Sequence, residues 1–168
     1  MNNYNKDLEK NNANFIALSP LTFLERTKDV YPDYEAVIYG NRKFTWLEIY
    51  KRVTKFASAL EKIGIGIGDT VSIMACNTPE LFEAHYSIPM TGAVINAINT
   101  RLDSKTVAYI LEHSDAKILI VDRQFHKIIK KAMEVVKKKI TIIDINDKQA
   151  NLPDQEKVGE LEYESFLM

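Results

Sequence analysis

A chain of 168 residues with 46% hydrophobic and 27% charged side chains carries enough apolar mass for one ordinary domain, and this balance excludes a disordered or collagen-like polypeptide. With 22 basic against 23 acidic residues the net charge is -1, which provides no field to attract nucleic acid or an anionic membrane surface. The single cysteine, Cys76, excludes an internal disulfide and a cysteine-rich zinc site and suits a reducing compartment, so the cytoplasm is the expected location.

The opening MNNYNKDLEKNNANF lacks the apolar centre of a signal peptide, and no stretch approaches the roughly 18 apolar residues of a membrane span. Residues 1–17 are rich in Asn and Lys without periodicity and read as a loosely held arm, leaving 18–168 as the folded part. Ser19-Pro20 starts a helix by side-chain capping and a first-turn proline; Leu21, Phe23, Leu24, Thr27 and Val30 follow at near-helical spacing until Pro32. Glu35 to Tyr39 and Lys43-Phe44 flank Gly40-Asn41-Arg42, a hairpin pattern. Thr45 and Glu48 stand in capping-box register, with Phe44 and Ile49 at the staple positions. The stripe Trp46, Ile49, Tyr50, Val53, Phe56, Ala57, Leu60, Ile63 then predicts an amphipathic helix.

An alternation follows. Strands are predicted at Thr70 to Ala75, Ala93 to Ile98, Lys117 to Val121 and Ile140 to Ile145. Helices are predicted from Pro79, capped by Thr78, to about Ser87; from a Ser104 cap to about His113; and from Arg123 to about Lys137. The strands are continuous apolar runs with little in/out alternation, so helices should cover both faces. Right-handed crossovers then give an α/β fold: a doubly wound, mostly parallel sheet with helices on both faces, plus a small N-terminal β-hairpin.

Several residues invite a chemical reading. Gly64, Gly66 and Gly68 follow a helix and precede a strand, the reverse of a dinucleotide-binding loop, and read as a helix C-cap and turn. His85, His113 and His126 lack ligand spacing, and Cys76 has no nearby histidine and reads as packing. Lys127, Lys130, Lys131 and Lys137 to Lys139 form a solvated basic strip. Arg101 follows a strand end, where open α/β sheets bind ligands, yet pairing with Asp103 or another loop is the expected role.

Taken together the chain resembles the N-terminal part of AMP-forming acyl-CoA synthetases, the adenylate-forming superfamily, from about Leu18 onward. The resemblance rests on Pro32 with Glu35 to Tyr39, Phe44 to Glu48, Gly68 to Met74, Asn77 to Glu80, Pro89 to Asn96, Asn99 to Leu102 and Ala116 to Asp122. The wording from His85-Tyr86 to Leu102 is most similar to the short- and medium-chain fatty-acyl or methylthio-acyl CoA ligase branch. The family joins a carboxylate to the α-phosphate of ATP and then transfers the acyl group to CoA, with magnesium and a mobile lid. Its phosphate loop, adenine motif, ribose aspartate and lid lysine would all lie after Met168, and Tyr163 to Leu167 is similar to the segment just before that loop. The resemblance therefore implies a fragment that is inactive alone. No catalytic, cofactor-binding or metal-ligating residue is expected in it, and no ATP, Mg or CoA is bound by it. The implied partner is the remainder of the ligase chain, with self-association through an exposed face as a consequence. The alternative is a free-standing flavodoxin-like module that binds a nucleotide or a partner at its strand ends.

Overall fold

The computed structural model describes residues 9–153 and 155–168; the first eight residues of the expected N-terminal arm lie outside the described residues. Helix α1 spans Pro20–Val30, with the Ser19 hydroxyl accepting from the Leu21 N–H at 3.2 Å and Pro20 in the first turn. Strands β1 (Glu35–Tyr39) and β2 (Arg42–Thr45) form an antiparallel hairpin in which Tyr39 faces Arg42. Arg42 thus opens the return strand instead of belonging to the turn, because Gly40 at φ +56° reverses the chain within two residues.

Helix α2 (Trp46–Lys62) begins in the expected reciprocal box: Glu48 N–H donates to Thr45 Oγ1 at 3.2 Å, and Thr45 N–H donates to Glu48 Oε2 at 2.8 Å. It ends in a Schellman turn. Gly64, at φ +87°, donates to the Glu61 carbonyl at 2.9 Å, and Ile65 donates to the Leu60 carbonyl at 3.0 Å.

Strands β3 (Thr70–Met74), β4 (Val94–Ala97), β5 (Ala116–Asp122), β6 (Thr141–Ile145) and β7 (Leu161–Glu162) form one parallel sheet in the order β4-β3-β5-β6-β7. The connecting helices are α3 (Pro79–Met90), α4 (Ser104–His113) and α5 (His126–Met133), and α6 (Tyr163–Phe166) follows β7. Alternate residues of each apolar run serve opposite faces. Val71, Ile73, Ile118, Ile120 and Ile143 pack with Phe56 and Leu60 of α2, Ala84 and Ile88 of α3 and Tyr163 of α6. Met74, Leu119 and Val121 pack with Val107 and Leu111 of α4 and Ile129 of α5. A third cluster, Leu24, Ile49 and Val53, seats α1 and the hairpin against α2 and α3. The doubly wound sheet and its hairpin are as the sequence predicts.

Local details differ for identifiable reasons. Helix α3 runs to Met90 despite Pro89, because its last turn tightens: Thr91 N–H bonds the Ile88 carbonyl at 3.1 Å and Gly92 N–H the Pro89 carbonyl at 3.0 Å. Thr78 occupies the α3 cap position, but its hydroxyl makes no capping bond. Asp103, not Ser104, caps α4. Its carboxylate accepts from Lys105 N–H at 2.9 Å, Thr106 N–H at 3.2 Å and the Thr106 hydroxyl at 2.8 Å, three donors where a serine hydroxyl would take fewer. Those bonds, the Thr106 hydroxyl first, hold the Asp103 carboxyl below its ordinary value.

The helix expected over 123–137 is shorter. Arg123 to Phe125 form a 3-10 turn capped by Asp122, and α5 ends at Met133, since the Lys137 N–H is captured by the Glu112 side chain at 2.8 Å. The loop after β6 is anchored at its far end: the buried Asp144 carboxylate accepts from Val158 N–H at 3.1 Å and Gly159 N–H at 2.9 Å. A Cβ at Gly159 would lie 2.3 Å from the Ile142 carbonyl oxygen.

Removing a cap discriminates among these assignments. Thr45→Ala is expected to cost about 1 kcal/mol of unfolding free energy in urea. Asp103→Ala is expected to lower the thermal midpoint, and Ser104→Ala to leave it essentially unchanged, both read by calorimetry.

Candidate functional site

In a doubly wound sheet the ligand crevice opens where successive connections leave in opposite directions. Here β4 lies on one side of β3 and β5 on the other, so that crevice is bounded by the loop after β3 (residues 75–78) and the turn after β5 (residues 122–125). The hairpin reaches over it. The Tyr39 hydroxyl donates to Asp147 Oδ2 at 2.5 Å. That bond, with burial and the charges of Asp147 and Asp122, pushes the phenol up to about 12.

The crevice is acidic. Glu80, Asp122 and Asp147 are all buried. Burial pushes the Asp122 carboxyl up, and the Asp147 and Glu80 charges add to it, although Gln124 donates from its backbone N–H at 3.1 Å and from Nε2 at 2.8 Å. The half-buried Cys76 thiol is pushed up by burial and by Asp122, which suppresses the thiolate that nucleophilic chemistry requires. The groups on this wall are buried carboxylates and a phenol, whereas phosphate is bound by backbone N–H groups and cations. Among the described residues no group of three or more His, Cys, Asp or Glu side chains is arranged to hold a metal ion.

The other candidates are engaged locally and are not brought together. His85 Nδ1 lies 2.7 Å from the Leu81 carbonyl oxygen, His113 stacks on Tyr109 with ring centroids 5.4 Å apart, and His126 Nδ1 lies 3.0 Å from the Arg123 carbonyl oxygen. Arg101 is exposed, and its backbone N–H donates to Asn99 Oδ1 at 2.9 Å. The expected pairing with Asp103 does not form, because that carboxylate is directed to the α4 cap. Within the basic strip Lys130 pairs with Glu156 and Lys138 with Asp115. Gly64 serves as the C-cap described above.

Sequence reasoning missed the densest polar constellation. Arg52 of α2 contacts Glu83 of α3 (Nε to Oε1 2.5 Å, Nη2 to Oε2 3.2 Å) and Glu164 of α6 (Nη1 to Oε2 2.9 Å, Nη2 to Oε1 2.6 Å). The Tyr163 hydroxyl donates to Glu83 Oε2 at 2.9 Å, and Arg42 Nη1 lies 2.7 Å from Glu80 Oε1. Burial raises the Glu83 carboxyl against the pull of Arg52 and Tyr163, whereas for the half-exposed Glu164 burial is outweighed by the Arg52 bond and the carboxyl is lowered. Arg42, Arg52, Glu80, Tyr163 and Glu164 of this network line a cleft of about 580 Å³ together with Lys148. A sequence signal existed: Arg52 interrupts the apolar stripe of Ile49, Val53 and Phe56, and Glu80 and Glu83 share a helical face with Ala84 and Ser87.

The Tyr39 bond has a measurable pH signature. With an unfolded value near 10, its stabilisation is complete below about pH 10 and is lost as pH rises through about 12. Tyr39→Phe should lower stability at neutral pH and flatten the decline between those values, followed by urea denaturation against pH. The phenolate absorbance difference between the two proteins should titrate near 12.

Relatives place this architecture. A family model described as AMP-binding enzyme matches residues 24–164. The chain is 42% identical over 96% of its length to an acetate–CoA ligase, CCL3, of Humulus lupulus, and 39% identical over 96% to a peroxisomal acetate/butyrate–CoA ligase, AAE7, of Arabidopsis thaliana. It spans 30% of the length of each. The fold superposes on the crystal structure of the anthranilate CoA ligase AuaEII, in complex with anthranoyl-AMP, with a TM-score of 0.81 at 21% identity, covering 95% of this chain and 29% of that one. The protein belongs to the AMP-binding enzyme family.

Proposed function

We propose that this chain is the N-terminal portion of an ATP-dependent acid–CoA ligase, which activates a short- or medium-chain fatty acid through an acyl-adenylate to the CoA thioester. The observation that carries the reading is the identity along nearly the whole chain to an acetate–CoA ligase. The preference for aliphatic acids draws on that relative and on the acetate/butyrate ligase. In this reading the chain supplies a supporting wall. ATP, Mg and CoA are held by the remainder of the ligase polypeptide, which is the partner, in the cytoplasm.

The exposed faces suit such a role. Phe23, Val30, Tyr31, Tyr34 and Ile38 leave apolar area in water on α1, the segment after it and the hairpin, and among the described residues no further strand pairs with the two-stranded hairpin. The remainder of the ligase covers this surface; without it the chain self-associates.

Alone, with ATP, Mg and acids from C2 to C16, the chain should release no pyrophosphate; turnover by the pure chain refutes incompetence. Co-expressed with the complementary part of the Humulus ligase, it should restore acetate-dependent pyrophosphate release, and a silent pair counts against the reading. Calorimetric titration with ATP, AMP and FMN should show no binding, whereas micromolar affinity would favour a nucleotide-binding module instead.

A further inference from the structure

The last segment of the chain has little means of holding itself in place. Helix α6 is a single turn of four residues, and β7 joins the sheet through only two residue pairs, Ile143 with Leu161 and Asp144 with Glu162. A helix of that length has no independent stability in water. Its position is imposed from outside. Tyr163 stacks on Phe56 with centroids 4.6 Å apart and donates its hydroxyl to Glu83, while Phe166 meets the edge of Phe56 at 5.5 Å. Glu164 lies in the open side of the Arg52 guanidinium, whose other side grips Glu83.

One planar cation therefore binds two carboxylates that are distant in the chain, 31 and 112 residues from it. A guanidinium accepts bidentate partners only near its own plane, so the two pairs set an angle between α3 and α6 as well as a distance. Arg42 Nη2, at 3.6 Å from Glu164 Oε1, adds the hairpin to the same junction. Sequestering this many charges is a poor route to stability, since apolar side chains of similar volume commonly do as well or better. What the arrangement provides is a single orientation.

Resting on the ligase reading above, we propose that Arg52 and Glu83 are positioning residues: through Tyr163 and Glu164 they aim the polypeptide that follows α6, and so place the catalytic portion of the ligase relative to this wall. Arg52 touches no reacting group in this scheme. The geometry of its fork is what matters, so a lysine keeping the charge does not substitute for it.

The test uses Arg52→Lys and Glu164→Gln, neither of which strands a bare buried charge, in the chain alone and in the co-expressed pair. In the chain alone, amide exchange of residues 163–168 should accelerate roughly tenfold or more while β3 and β5 keep their protection and the thermal midpoint stays within about 3 °C. In the pair, active sites are counted by the acyl-adenylate burst. Turnover per active site should fall roughly 10- to 100-fold, with the KM values for ATP and acid little changed. A merely structural role would reduce the number of active sites and leave turnover per site intact, which would overturn the proposal, as would unchanged exchange at 163–168 or exchange accelerated throughout the sheet. A wild-type pair without activity refutes the ligase reading and the catalytic half of this inference with it, while exchange still decides whether the fork places α6.

Discussion

The two-sided burial of β3 and β5 is the constraint from which the rest of the architecture follows. A parallel strand pair must be crossed over by helices, and a strand with apolar side chains on both faces must be covered on both. Val71 and Ile73 demand α2 and α3, and Met74 demands α4 and α5. Helix α2 is long enough to meet two obligations. Phe56 and Leu60 cover the sheet, while Ile49 and Val53, one to two turns earlier, seat the hairpin and α1. The hairpin is thereby carried to the carboxyl end of the sheet, where Tyr39 and Arg42 reach the strand-end loops.

That placement decides what the strand ends can do. In related α/β architectures the same location accepts phosphate on helix N-termini. Here the Tyr39 phenol is bonded to Asp147, and Asp122 and Glu80 line the crevice from beneath. The family shares a scaffold with nucleotide-binding folds, but function follows the site and not the fold. At this end of the sheet the Tyr39–Asp147 and Arg42–Glu80 contacts tie the hairpin to the loop after β6 and to α3.

The parts legible in the sequence were those whose causes are local. The Thr45–Glu48 box needs residues three apart, and the Gly64 turn needs only the stretch from Leu60 to Ile65, so both could be read directly. The apolar runs announced a two-sided sheet because their periodicity is itself the signal. At Asp103-Ser104 two capping residues stand side by side, and only the geometry showed that the carboxylate takes the role. The early end of α5 came from Glu112, 25 residues before the Lys137 amide it captures, and the Tyr39–Asp147 and Arg52–Glu164 bonds span 108 and 112 residues. No window along the chain contains such partners. A charged residue set into an apolar stripe, as Arg52 is, marks that a distant partner exists without naming it.

The connection between β6 and β7 carries a consequence for how the family can diversify. Its far end is fastened where Asp144 holds the Val158 and Gly159 amides, and Gly159 lies so close to the Ile142 carbonyl that any side chain would collide. Chain length upstream of that clamp, in the exposed stretch near Asn151 to Pro153, is energetically inexpensive to change. A change of length before the clamp would leave the Asp144 bonds in place, so that a longer or shorter segment would still deliver β7 to the same position on the sheet.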